Sequence, residues 1–196
     1  MPSCSGIFQG SIYDCTDPLI IGLKQNLYLA NYDDVESVTY SAVSGEENVI
    51  TDITMKTGKA FFKVEGVNAS LSTNQEQVRT ATATGWRHYI DFSIFDVSSQ
   101  SRLNINAMSR VKLVAITLQP NDTSLGNGPI EVHGWDAGLE LITATRNASD
   151  AETGGAYRLQ LATPENGREN RLPEVFWSTN YTTTETAVED LLTPAP

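Results

Sequence analysis

In "WRHYIDFSIFDV" (Trp86–Val97) apolar and polar residues alternate. Trp86, His88, Ile90, Phe92 and Ile94 fall on one side; Arg87, Tyr89, Asp91, Ser93 and Phe95 fall on the other. A period of two is that of a β-strand, and a strand with one such face must bury it against another layer. Shorter runs repeat the signal: Leu27 and Leu29 in "LIIGLKQNLYLANY", Ile50, Ile53 and Met55, the stretch "KAFFKVE", and Tyr157, Leu159 and Leu161 in "YRLQLATP". "VKLVAITLQP" (Val111–Pro120) is apolar throughout and stops at a proline, as a central strand does.

Turn residues punctuate these runs. "NYDD" separates two early strands, "SGEEN" turns on Gly45, and Gly58 suggests a hairpin joining "VITDITM" to "KAFFKVE". "IEVHGWDAGLELITATRNA" reads as two strands broken around Gly134 and Gly138, and "DAETGGA" as a hairpin turn. The Ser/Thr-rich stretch 68–84 reads as a thin strand pair or an extended loop. One helix is expected over about Ser99–Ser109, capped by Asp96, Ser98 or Ser99, with Leu103 and Ala107 on one face and Arg110 in the last turn. The expected fold is mainly β (α+β): a β-sandwich or barrel core with one flanking helix, long hairpin loops and extended terminal arms. Its parts are an N-terminal arm at 1–18, a domain at 19–177 and an acidic C-terminal arm at 178–196.

The chain has 196 residues and a net charge of −11. Nucleic-acid-binding modules need a basic footprint, so a protein that grips nucleic acid is not expected. A wall of like sign would instead let phosphates pass. The opening residues carry no basic stretch followed by an apolar core, and no run reaches the roughly 18 apolar residues of a membrane span. A chain made in a cytoplasm, with no membrane partner, is therefore expected. Cys4 and Cys15 are either free thiols or a single disulfide; two cysteines are not a disulfide framework.

Catalytic signatures are lacking. Asp33–Asp34 and Glu46–Glu47 are adjacent pairs, which a strand would point in opposite directions, and they suit turns better than acid–base chemistry. His88 and His133 with the two cysteines do not have zinc-site spacing. Neither a nucleophile motif nor a Gly-rich phosphate loop opening a helix is present. Asn68, Asn121, Asn147 and Asn180 begin N-x-S/T sequons, which matter only in a secreted protein. Trp86, Trp135 and Trp177 suit core or interface packing. The chain therefore reads as a non-enzyme with no cofactor and no metal.

The order of segments resembles a known family. A Cys-containing arm is followed by "YLANYDDV", by "ITM…GKAFFKVE", by "WRHYIDFSIFDVSSQSRLNINAMSRVKLVAITLQP", by "GWDAGLELITATRN", by "YRLQLATP" and by "PEVFW". Over most of residues 4–177 this is similar to major tail tube proteins of tailed bacteriophages, in particular small virion proteins of phages of Bacteroidetes hosts. The resemblance implies a β-sandwich or barrel whose hairpins join between subunits into a continuous inner barrel. It implies stacked, usually hexameric, rings in the virion tail, assembled in the host bacterium's cytoplasm with other phage tail proteins. DNA and a tape-measure protein would pass through the lumen without specific binding. Under it, Asp33, Asp34, Glu46, Glu47, Lys59, Phe61, Phe62 and Trp177 are expected at the self-assembly interface. Other expectations compatible with the pattern are a head decoration, head–tail joining or tail-terminator protein, or a carbohydrate- or surface-binding β-sandwich.

Overall fold

The computed structural model describes residues 22–67, 69–79, 84–120, 128–151 and 154–196. The expected arm at 1–18 with Cys4 and Cys15, and the sequons at Asn68 and Asn121, lie outside the described residues. The elements are β1 (Asn26–Asn31), β2 (Val35–Tyr40), β3 (Val49–Met55), β4 (Phe62–Glu65), β5 (Ser72–Arg79), β6 (Thr84–Ile94), α1 (Ser99–Met108), β7 (Leu113–Leu118), β8 (Ile130–His133), β9 (Glu140–Arg146), β10 (Tyr157–Ala162), β11 (Glu174–Phe176) and α2 (Tyr181–Asp190). They form a seven-stranded sheet, β2-β3-β11-β8-β7-β1-β4, and a four-stranded sheet, β5-β6-β10-β9. The mainly β class and the sandwich with a flanking helix are as the alternation predicts.

The first four strands are one long, bent hairpin. β1 pairs with β4 and β2 with β3, both antiparallel; Leu29↔Phe62 and Ser37↔Thr54 share one register, each strand advancing by eight residues, with irregularities at Val35/Ser37 and Thr39/Tyr40. β3 and β4 are therefore successive halves of one arm. The hairpin expected to turn at Gly58 does not form; Gly58, with φ of +73°, serves the bend instead. A flat sheet would hold β1 and β2 five strand spacings apart, about 24 Å. The four peptide steps from Asn31 to Val35 reach at most about 15 Å. The seven-stranded sheet must therefore curl until its two ends meet at the bend.

"NYDD" is that bend. Tyr32–Asp34 form a 3-10 turn, and the Lys56 N–H donates to the Asp34 carbonyl at 3.0 Å. The Asp34 carboxylate accepts from Asn31 Nδ2 at 2.7 Å and lies 3.0 Å from Lys59 Nζ, while Lys56 Nζ donates to the Asp33 carbonyl at 2.6 Å. Burial alone would raise the Asp34 carboxyl, but the Asn31 and Lys59 hydrogen bonds and the lysine charges hold it below its usual value.

Curling gives the sheet two unlike faces. On the concave side Tyr28, Ala30, Ile53, Met55, Phe61, Ile116, Val132 and Phe176, drawn from both ends of the sheet, make one buried cluster. On the convex side Leu27, Leu29, Leu113 and Ala115 pack against Ile90, Phe92, Leu159 and Leu161 of the four-stranded sheet. β1 is therefore buried on both faces.

Residues 178–196, expected as an acidic arm, instead close the concave side. Asn180 caps α2 by accepting from the Thr183 N–H at 2.9 Å. Tyr181, Thr184 and Val188, spaced at i, i+3 and i+7, are buried in the cluster. Glu189 accepts from Tyr28 Oη and Lys63 Nζ, and Glu185 accepts from Lys24 Nζ. The last residues then pin the bend: Phe61 N donates to the Leu191 carbonyl, Gly58 N to the Ala195 carbonyl and Ala195 N to the Lys59 carbonyl. The acidic side chains face the lysines of the first hairpin, which is why this charged segment folds down.

α1 has the expected extent, with Ser98 as its cap. Its inward face is Ser101 and Ile105; Leu103, expected on that face, is 59% exposed. Arg110 lies beyond the helix end.

Two outcomes are expected. A chain ending at Trp177 strips the concave cluster of Tyr181 and Val188, each contributing about 1.5–3 kcal/mol, and loses its cooperative thermal transition and near-ultraviolet circular dichroism. Asp34→Ala costs about 1 kcal/mol at pH 7, its partner being half exposed and screened. Because the Asp34 pKa is depressed in the fold, that cost shrinks as pH falls through the carboxylate range, which urea unfolding at pH 7 and pH 3 measures.

Candidate functional site

Among the described residues the four-stranded sheet is covered on one face only. β5 and β10 run one way and β6 and β9 the other, since every neighbouring pair is antiparallel. Inward go Ile90, Phe92, Leu159 and Leu161. Outward, by the strand period, go Ser72, Asn74 and Glu76 of β5, Arg87, Tyr89, Asp91 and Ser93 of β6, Arg158 and Gln160 of β10, and Thr143 and Thr145 of β9.

With Glu140, level with Ala162 and Tyr89, that outer face holds three carboxylates and two guanidiniums, so it carries little of the chain's net −11. It is also cross-linked by polar contacts. Gln160 Nε2 donates to Asp91 at 2.8 Å, Tyr89 Oη to Glu76 at 3.2 Å, and the Arg87 guanidinium lies 5.4 Å from the Tyr89 ring centre. Arg158 approaches Asp150 at 3.7 Å. The sheet's two edges, β5 and β9, pair with no further strand among the described residues. Within the Ser/Thr-rich stretch, Ser72–Arg79 is thus an edge strand. An edge of this length offers unpaired N–H and C=O groups to another chain.

The eight residues singled out from sequence do not form one surface. Asp33, Asp34 and Lys59 sit at the bend, where Asp34 and Lys59 bond each other. Glu46 and Glu47 serve the β2–β3 turn, Glu46 accepting from Ser41 Oγ at 2.8 Å and Glu47 from Gly45 N at 3.2 Å. Phe61 is only 2% exposed and belongs to the core, because it follows the bend and faces the concave side; it is not an interface residue. Trp177 packs half-buried on the same cluster. Phe62, 65% exposed, is the one large apolar side chain of the set that faces outward. It stands at the mouth of a groove of about 780 Å³ between α1 and β4, walled by Leu29, Val64, Ile94, Phe95, Ala107 and Met108.

The histidines form a structural seam between the sheets. His88 on β6 and His133 on β8 meet edge to face, with ring centres 5.6 Å apart. Gly134 N–H donates to His88 Nδ1 at 3.3 Å and His88 Nε2 donates to the Arg171 carbonyl at 3.1 Å, which makes the ring neutral. His133 Nε2 is 2.9 Å from Thr117 Oγ1 and 3.4 Å from Glu131. Burial holds His88 down to about 4 and, with His88 beside it, His133 down to about 3. The His133–Glu131 contact is therefore not an ion pair at neutral pH.

Carboxylates surround this seam. Glu169 accepts from the Asp136 and Ala137 N–H groups at 2.7 and 3.1 Å and so holds the loop after β8. Burial raises Glu131 and Glu174 to about 7. Glu174 Oε2 is buried without a hydrogen-bond partner, and the nearest cation, Arg171, is 3.7 Å from the other oxygen. Among the described residues no three His, Cys, Asp or Glu side chains are placed to hold a metal ion. No described helix is long and apolar enough to cross a membrane. Nothing in the histidine and chain-charge patterns signals the open sheet; its cue was the polar half of the alternation in β6 and β10.

A raised folded-state pKa makes Glu174 destabilising once it ionises: its contribution is complete below about 4.5 and is lost as pH rises through 7. Glu174→Gln is expected to stabilise the fold by about 1–3 kcal/mol at pH 8 and to have little effect at pH 4.5, as read by thermal or urea unfolding at both pH values. Comparisons with protein-family models, curated proteins and solved structures return no match, so the functional reading rests on the geometry of the open sheet and on the order of sequence segments.

Proposed function

We propose that the protein is a self-assembling structural subunit that builds the tail tube of a bacteriophage virion from stacked rings, through which DNA passes on its way to the host. One observation carries the reading: a four-stranded sheet with a polar outer face of nearly balanced charge and two edges, running in opposite directions, that pair with no further strand among the described residues. An even number of alternating strands lets copies related by rotation alone join edge to edge with every pair antiparallel. Such head-to-tail contacts close into a ring when the rotation closes. The apolar face stays inside each copy and the polar face lines the bore. Its Arg87 is opposite Glu76, so it offers passing phosphates no concentrated positive charge. The remainder of the net −11 lies elsewhere on the chain and repels phosphate at longer range.

The buried histidine–carboxylate seam agrees with this non-enzymatic role. His88 and Glu169 are taken up in hydrogen bonds to the backbone of Gly134, Arg171, Asp136 and Ala137.

Purified protein is expected to form rings and stacked tubes in negative-stain micrographs, with masses at multiples of the 21.4 kDa chain. A single ring that never stacks would move the assignment to a terminator or joining protein. A protein that stays monomeric at millimolar concentration overturns the assembly reading.

A further inference from the structure

We propose that β9 of one copy pairs antiparallel with β5 of the next in a staggered register, Glu140–Arg146 alongside Thr73–Arg79, which sets Thr143 opposite Glu76 and Thr145 opposite Asn74. The proposal rests on the assembly reading above and specifies its joint.

Two observations select this register. The first is overlap. β9 has seven residues and β5 eight, and this register pairs every residue of β9 with a β5 residue. The second is facing. Thr143 pairs with Gln160 and Thr145 with Arg158 within the copy, on the outer face; Glu76 and Asn74 lie on that same face opposite Arg87 and Tyr89. Side chains of one face meet only side chains of that face, since a slip by one residue would turn them over. Both chosen pairs lie on the regular side of the irregularity that shifts β9 against β10 at Gln160/Leu161.

The stagger has a geometric consequence. Straight across one copy, Thr143 is level with Gln160, Asp91 and Ser72. Pairing it with Glu76 advances the register by four residues for every four strands. Four residues rise about 13 Å and four strand spacings cover about 19 Å, which tilts the strands by about 35° from the ring axis. Closed barrels have tilts of about 35–45°. A level joint, with Thr143 opposite Ser72, would have no tilt and would leave half of β5 unpaired.

Disulfide trapping tests the register in a Cys4→Ser, Cys15→Ser background. Glu76→Cys with Thr143→Cys, and separately Asn74→Cys with Thr145→Cys, are expected to give a ladder of covalent multimers on oxidation. All four positions are on the solvent face of edge or near-edge strands, so the variants should keep the parent's thermal transition. A mixture of the single variants Glu76→Cys and Thr143→Cys is expected to stop at the dimer, because each copy then carries one half of the joint. A ladder from Ser72→Cys with Thr143→Cys in place of these overturns the register. Rings in micrographs with no ladder from any pair overturn the edge-to-edge joint and leave the assembly reading standing. Parent protein that gives neither oligomers nor ladders overturns both.

Discussion

The bend at Asn31–Val35 governs the rest of the fold. Four peptide steps carry the chain from one end of a seven-stranded sheet to the other, and a flat sheet cannot accommodate that distance. Curl follows from chain connectivity. It brings Tyr28 and Ala30 from one end against Ile53 and Met55 from the other, and so creates a concave core that no single hairpin could bury. The carboxylate of Asp34 does its work here, holding Asn31 and Lys59 across the bend.

Each later element occupies a surface that the curl made available. α2 fills the concavity, and its acids meet Lys24, just before β1, and Lys63 on β4. The four-stranded sheet lies on the convex side over Leu27 and Leu29. Where the two sheets diverge, the space is taken by neutral imidazoles and by carboxylates held on backbone N–H groups, a polar seam that orders the loops after β8 and β10. Among the described residues the seven-stranded sheet ends in β2 and β4 and the four-stranded sheet in β5 and β9, and β5 and β9 border the polar face that no other layer covers.

Much of this was legible in the residues. The alternation of β6 and β10 identified both the buried face and the polar one, and Gly45, Gly134 and Gly138 marked turns that all need positive φ. The segment after Trp177 was not legible, because β-branched threonines and a high acid content argue locally against a packed helix. Its apolar positions, Tyr181 and Val188, are too few to show a period until the sheet that receives them exists. Phe61 and Phe62 illustrate the same limit: adjacent and chemically identical, one is buried in the core and the other stands at the mouth of a groove.

The sequence by itself determined most of the strand segments and which side of β6 and β10 is apolar, since these are local consequences of side-chain period and backbone sterics. Only the tertiary structure decided that β3 and β4 belong to one bent arm, that the acidic C-terminus is part of the core, and that β5 and β9 are the edge strands of the four-stranded sheet. Those outcomes depend on strand pairings between residues far apart in the chain, and pairing is selected by the closure of the whole sheet, a constraint that no single segment carries.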